Sequence, residues 1–361
     1  MECYSERVDP SLLRKLSVLL QQAMLASLAC CAIASWAVSP SASPQDSQNP
    51  RPTLIFSQFS RNQPLRVVVY GDMRFADPSI TVGTNPRIRR WLAGRVAKEK
   101  PEVMLLTGDT PFIGARAGDW LDFQRETAPW RARHILVLPT TGNHEVRGGE
   151  SAGIANYLRN FPQIRGHRYY SALLGPLEVI SLDCTLGSEP GSDQAAWFAA
   201  QLSHLPSQVR FLFLLYHIPW VADEQSQWIA GLPSKSALDL RGILDAHMAI
   251  LHARVVVFIG HIHNYERFVR NGAEYVVTGG GGAEPYPLLL RGSGDLYRDM
   301  AFPVYHFLTI DVDDGKLHAV MWKIQDPDAT KLRVVAKDQF FLSASARIDK
   351  TGTDAPFQRK H

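Results

Sequence analysis

Cysteine is the scarcest informative residue in this chain. Of 4 cysteines in 361 residues, Cys3, Cys30 and Cys31 sit near the N-terminus, which leaves Cys184 alone in the body. A body with one cysteine has no internal disulfide framework and no cysteine-built structural zinc site. An excess of one charge is also missing. The formal charge of +3 is too slight over this length to draw the chain to nucleic acid, and no Lys/Arg-rich run forms a nucleic-acid binding arm. Past the N-terminal leader no apolar run is long enough to span a membrane, and no internal repeat is present. What is there is an ordinary globular composition, 45% hydrophobic and 20% charged. A chain of this length buries a large core as one big domain or two ordinary ones.

Residues 1–38 differ from all that follows. A basic start (Arg7, Arg14, Lys15) precedes the Ala- and Leu-rich stretch Leu16–Ala37, interrupted at Gln21 and Gln22 and ending among small residues. That order is the signature of a secretory signal peptide. An uncleaved anchor is the alternative, because the apolar stretch approaches spanning length. Ser27-Leu28-Ala29-Cys30 faintly resembles a lipoprotein cleavage box, so a lipid anchor is a third form of the same expectation. The protein is therefore expected to be exported, periplasmic or secreted. Residues 39–58, rich in Ser, Pro and Gln, read as a linker, 59–345 as the folded domain, and 346–361 as a polar tail.

Within the domain, β-branched and aromatic runs alternate with amphipathic stretches. Leu65–Tyr70, Glu102–Thr107, His134–Pro139, Leu177–Leu182, Arg210–Tyr216, Val255–Ile259 and Tyr275–Thr278 read as strands. Arg87–Lys100, Gln194–Leu205 and Leu238–His252 read as helices, and Val304–Val312 with Lys316–Ile324 as a hairpin turning at Asp313–Gly315. This alternation predicts an α/β core with parallel strands plus antiparallel pairing at the end. In such sheets ligands gather beyond the carboxyl ends of strands. Five strand ends here deliver Asp72, Asp109, Asn143, His217, and the pair His261 and His263. Each alone has a dull explanation as a helix cap or turn former. In succession, and mostly beside a glycine, they are metal-ligand types. Gly260 in particular is expected to let the chain turn sharply, so that His261 and His263 aim at one small volume.

Carboxylates with imidazoles suit zinc, manganese or iron better than calcium. A carboxylate between two cations bridges them into the clamp used for phosphoryl transfer, where a metal-bound hydroxide attacks phosphorus and an unligated histidine protonates the leaving group or polarises the phosphoryl group. The ordered set GD, GD, GNHE, a strand ending in His, and GHIHNYER, spanning Leu65 to Ile324, resembles the calcineurin-like metallophosphoesterase superfamily, and within it the purple acid phosphatase branch. Tyr169-Tyr170-Ser171, Gln194 with Trp197, and the Gly279–Gly282 loop resemble that branch more loosely. The resemblance implies a four-layer α-β-β-α sandwich with mixed sheets and two metal ions (Fe, Zn or Mn) at C-terminal strand ends. It implies Asp72, Asp109 and His263 on the first metal, Asp109 bridging, Asn143, His217 and His261 on the second, and His144 as the catalytic histidine. The expected substrates are phosphate esters, phosphomonoesters first.

Two positions depart from the pattern. Arg74 stands where the superfamily has a first-metal histidine, and Phe112 where the purple branch supplies a tyrosine. The first metal then lacks one expected protein ligand and binds weakly, with no tyrosinate colour. Arg74 either grips the substrate phosphate, alongside Asn143 and His144, or pairs with an acid such as Asp72 or Asp77. The stretch after His217 (Ile218-Pro219-Trp220) lacks the extra histidines that some purple members use on the leaving group. A phosphodiesterase with the same ligands, and a binding or scaffold protein with an impaired first metal site, are the alternatives to a phosphomonoesterase.

Overall fold

Continuous apolar strands, rather than alternating ones, signal sheets buried on both faces. The computed structural model describes residues 54–59, 63–230, 234–313 and 315–344, all within the unit Gln45–His361. The expected leader and tail, and the linker up to residue 53, lie outside these residues. In chain order the elements are β1 (Leu54–Ile55), β2 (Leu65–Tyr70), α1 (Pro86–Lys98), β3 (Val103–Leu106), α2 (Ala117–Glu126), α3 (Ala128–Arg131), β4 (Leu136–Pro139) and α4 (Glu150–Asn160). There follow β5 (Tyr170–Leu174), β6 (Leu177–Ser181), α5 (Asp193–Ser203), β7 (Phe211–Tyr216), α6 (Glu224–Ala230), α7 (Lys235–His247), β8 (Arg254–Ile259), β9 (Tyr265–Arg270), β10 (Ala273–Thr278), β11 (His306–Val312), β12 (Lys316–Ile324) and β13 (Val334–Ser343).

They form two mixed sheets, ordered β1-β5-β6-β7-β8-β10-β9 and β13-β12-β11-β2-β3-β4. β2, β3 and β4 run parallel, as do β6, β7, β8 and β10, while β11, β12 and β13 add antiparallel pairs beside β2. The period of two in a strand sets the layers. In β7, Phe211, Phe213 and Leu215 point into the core between the sheets with Val256 and Phe258, whereas Leu212, Leu214 and Tyr216 pack under Phe198 of α5 and Leu240 and Leu244 of α7. On the other sheet Tyr70 meets Trp130 of α3 edge-on at 6.0 Å, so its outer face is covered by α1 to α3. The result is the expected helix, sheet, sheet, helix sandwich. Each fully buried Leu or Phe stabilises it by roughly 1.5–3 kcal/mol.

Helix starts follow their caps. Asn85 accepts from Ile88 N at 3.1 Å ahead of Pro86, Ser192 from Ala195 N, and Ser234 from Ala237 N. The expected hairpin is present, its turn held by Asp313 accepting from Gly315 N and Lys316 N. Eight elements are additional to the sequence reading: α2, α3, α4, α6, β1, β5, β9 and β13. Leu54–Ile55, inside the stretch expected as linker, pairs in parallel with β5, because Leu54 has an apolar slot to fill and is only 1% exposed. Among the described residues no helix is long and apolar enough to cross a membrane.

Candidate metal centre

All the chain's candidate ligands stand just past the ends of β2, β3, β4, β7 and β8, and the backbone there is unusual. Asp72, Arg74, Asp109 and His261 have φ of 57°, 51°, 52° and 68°. Left-handed backbone at non-glycine residues costs on the order of 1–3 kcal/mol each and persists only where the surroundings hold it. Here main-chain bonds between strand ends do so: Asp72 N donates to Gly108 O, Arg74 N to Asp109 O, and His261 N to both oxygens of Asp72. Gly260 plays a different part from the expected one. The left-handed residue is its neighbour His261, and Gly260 is needed because a Cβ there would lie 2.6 Å from Thr107 O and 2.7 Å from Asp72 Oδ2. The strand ends pack too closely for a side chain.

The side chains converge with acceptor facing acceptor. His217 Nδ1 donates to Thr107 O at 2.8 Å, which leaves the Nε2 lone pair inward. That Nε2 lies 3.1 Å from Asn143 Oδ1, 3.2 Å from Asp109 Oδ1 and 3.3 Å from His261 Nδ1. His261 Nδ1 is itself 3.2 Å from Asn143 Oδ1. His263 is oriented in the same way by Glu284 O, at 2.6 Å from Nδ1, and its Nε2 stands 3.5 Å from Asp72 Oδ1, buried and without a hydrogen-bond partner. Ligand atoms of Asp72, Asp109 and His217 all lie within 4.8 Å of one another. Lone pairs set against one another, with one orphaned nitrogen, fit cations between them. The donor set, carboxylate with imidazole and no thiolate, suits Fe, Zn or Mn.

Protonation agrees with that fit. Burial lowers His261 to about 3 and His263 well below its ordinary range, so both are neutral at neutral pH, as ligation requires. Burial likewise raises Asp72 to about 7, against the pull of His217. Burial acts on Asp109 in the same direction, but His144, His217 and Arg74 together outweigh it and hold this carboxyl below the usual range.

Several residues around this centre escaped the sequence reading. Glu145, the last residue of GNHE, is fully buried and accepts from Asp109 N, Thr110 N and Gly142 N at 2.8–3.0 Å, tying the second strand end to the third. Arg89 of α1, also fully buried, donates to both oxygens of Glu126 (3.0 and 2.7 Å) and to the carbonyls of Arg74 and Ala76, riveting the loop that carries Asp72. Tyr286 stacks on His263, centroids 4.2 Å apart at 26°. The motif spelling shows Glu145, but nothing in the spacing marks Arg89, Glu126 or Tyr286.

Arg74 meets Asp109 (3.3 Å), not Asp72 or Asp77; Asp77 instead accepts from Ser79 N and Oγ. Its Nε is buried and has no acceptor. His144 donates from Nδ1 to Phe112 O at 2.6 Å, which turns Nε2 inward, 3.7 Å from Asp109 Oδ2. Phe112 supplies that carbonyl and a ring at 5.6 Å from the imidazole, and no side-chain oxygen. Asn143 is exposed and His261 half-buried, so the centre opens to solvent on that side.

The description "Calcineurin-like phosphoesterase" matches residues 65–265, more than half of the chain. Purple acid phosphatase 21 of Arabidopsis thaliana is 28% identical over 244 residues, covering 61% of this chain and 50% of that protein. Probable purple acid phosphatase 20 of the same plant is 25% identical over 307 residues, covering 78% of this chain and 66% of that protein. The solved structure of a purple acid phosphatase from yellow lupin (Lupinus luteus) seeds matches with a TM-score of 0.62 at 18% identity, covering 83% of this chain and 58% of that one. The chain thus spans between half and two thirds of the length of these curated relatives.

Proposed function

Because the chain belongs to the calcineurin-like phosphoesterase family, we propose that it is an exported, metal-dependent phosphoesterase acting first on phosphomonoesters. The observation that carries this reading is the convergence of lone pairs from Asp72, Asp109, Asn143, His217, His261 and His263 on one small volume, with His263 Nε2 orphaned within it. Asp72, Asp109 and His263 would hold one ion, Asn143, His217 and His261 a second, with Asp109 between them. When bound, two such cations supply an activated water and neutralise charge on the phosphoryl oxygens.

The protein's own groups do the rest. The tie from His144 Nδ1 to Phe112 O fixes the imidazole with Nε2 toward the substrate space, so it delivers a proton to the leaving oxygen or the phosphoryl group when it carries one there. Arg74, with its unfilled Nε–H at the edge of the site, binds a phosphoryl oxygen, and the Asn143 amide adds a second contact. Glu145 and Arg89 touch neither substrate nor metal and keep the strand ends in register. With Arg74 and Phe112 in place of the usual ligands, only Asp72, Asp109 and His263 would hold the first ion, which would be the more weakly bound. Export is supported by the charged, apolar, small-residue order of the leader.

Turnover of an aryl phosphomonoester and the matching diester, by purified protein reloaded with Zn, Mn or Fe after chelation, tests the proposal. Faster monoester hydrolysis that depends on added metal is expected. Faster diester hydrolysis would select the diesterase reading, and metal binding with no turnover of either would leave a scaffold.

A further inference from the structure

A second concavity of about 950 Å3 shares no residue with the metal centre. One wall is α1, which presents Arg87, Arg90, Arg95 and Lys98; the other is the segment entering β13, which presents Lys331 and Arg333. Trp91, Leu332 and Val334 are its apolar lining, and no carboxylate lines it. The four helix cations recur at helical spacing on one face, where like charges repel. Their neutralisation is incomplete. Arg95 pairs with Glu99, but Arg90 reaches Glu126 only at 3.8 Å, and that carboxylate is already committed to Arg89. Arg87 donates to the carbonyls of Pro327 and Ala329, which brings the far wall against the helix without cancelling any charge. Lys98, Lys331 and Arg333 are exposed and meet no acid or acceptor among the described residues.

Solvated surface cations are common, but these face each other across a concavity, where low-dielectric walls focus the field. We propose that this cleft binds a compact polyanion, a small molecule or short chain carrying several linked phosphates, at a site separate from the metal centre. Guanidinium and ammonium groups on both walls engage phosphates from two sides, which a single orthophosphate is too small to span. A flat bilayer fits poorly, because the charges line a recess.

The test uses the full chain treated with chelator, so that it needs no metal and no turnover and stands whether or not the catalytic proposal does. Tripolyphosphate is titrated calorimetrically at several salt concentrations into wild type, Lys331→Glu/Arg333→Glu and Lys98→Glu. Expected are saturable wild-type binding that weakens with salt, and at least a tenfold loss of affinity in either variant, while metal-loaded aryl phosphatase activity is unchanged. Affinity unchanged in both variants would overturn the proposal. So would absence of tripolyphosphate binding alongside binding to phosphatidylserine vesicles that the same substitutions abolish, which would assign the cleft to a membrane surface.

Discussion

Replacing Glu126 by alanine should unfold this protein at a much lower temperature, although the residue touches none of the candidate ligands. Arg89 is buried with 0% side-chain exposure, and Glu126 with 1%. The substitution removes two charge-assisted bonds and leaves a guanidinium whose remaining acceptors, the carbonyls of Arg74 and Ala76 and the Thr84 hydroxyl, are neutral. Stranding one partner of a buried pair costs about 3–5 kcal/mol, out of a total of roughly 5–15 kcal/mol. At about 2–4 °C per kcal/mol the melting temperature should fall by roughly 6–20 °C. The pair's companion substitution separates stability from site geometry. Arg89→Met/Glu126→Leu should recover most of the lost stability, since apolar side chains replace buried ion pairs at little cost. It still frees the carbonyls of Arg74 and Ala76, so metal affinity should stay low. Thermal melts with parallel metal titrations measure both. A fall below about 3 °C in Glu126→Ala, or a double variant as unstable as the two single losses added together, would refute the reasoning.

Three further outcomes follow from other residues. Glu178 is 1% exposed with Oε2 unpartnered, and burial raises it to about 8. A raised carboxyl contributes stability below its unfolded value of roughly 4.3 and loses it as pH rises through the folded value, so the fold should weaken from pH 5 to 8 and Glu178→Gln should flatten that slope in pH-dependent melts. His144→Ala should keep its metals by elemental analysis while losing roughly a hundredfold or more in kcat, as for a lost general acid; a metal-free product would make His144 a ligand. Arg74→His should tighten the first metal and raise KM by about tenfold at saturating metal; if KM does not move, Arg74 is structural only.

The strands that carry the centre were legible because their apolar runs are unbroken and lead to a ligand-type residue, mostly beside a glycine. β13 was not, since VVAKDQFFLS is half-exposed at a sheet edge and breaks its alternation at the bulge between Met321 and Trp322 of its partner. β9 was concealed because Tyr265–Arg267 belongs to the histidine motif and reads as its tail. α4 carries Gly153 and two asparagines among few apolar residues, which blurs its period. In the centre, the candidate ligands were visible as residue types at strand ends. The groups that hold them were not: Arg89 and Glu126 are 37 positions apart, and Tyr286 is placed by a loop whose path no local propensity fixes.

β11 lies between β12 and β2, so the strand that delivers Asp72, already paired with β3, gains its second neighbour only when residues 306–312 arrive. The last pieces of the centre come late as well: Glu284 O orients His263, and Gly281 N and Ala283 N bond to Gly71 O and Asp72 O. During synthesis, then, His263 emerges before the segment that aims it. A nascent chain stopped short of residue 306 has the candidate ligands but lacks β11 beside β2, and such pairings of distant segments form slowly. If the centre holds metal as proposed, capture waits for Glu284 and its neighbours, and the compartment in which folding is completed decides which cation is on offer.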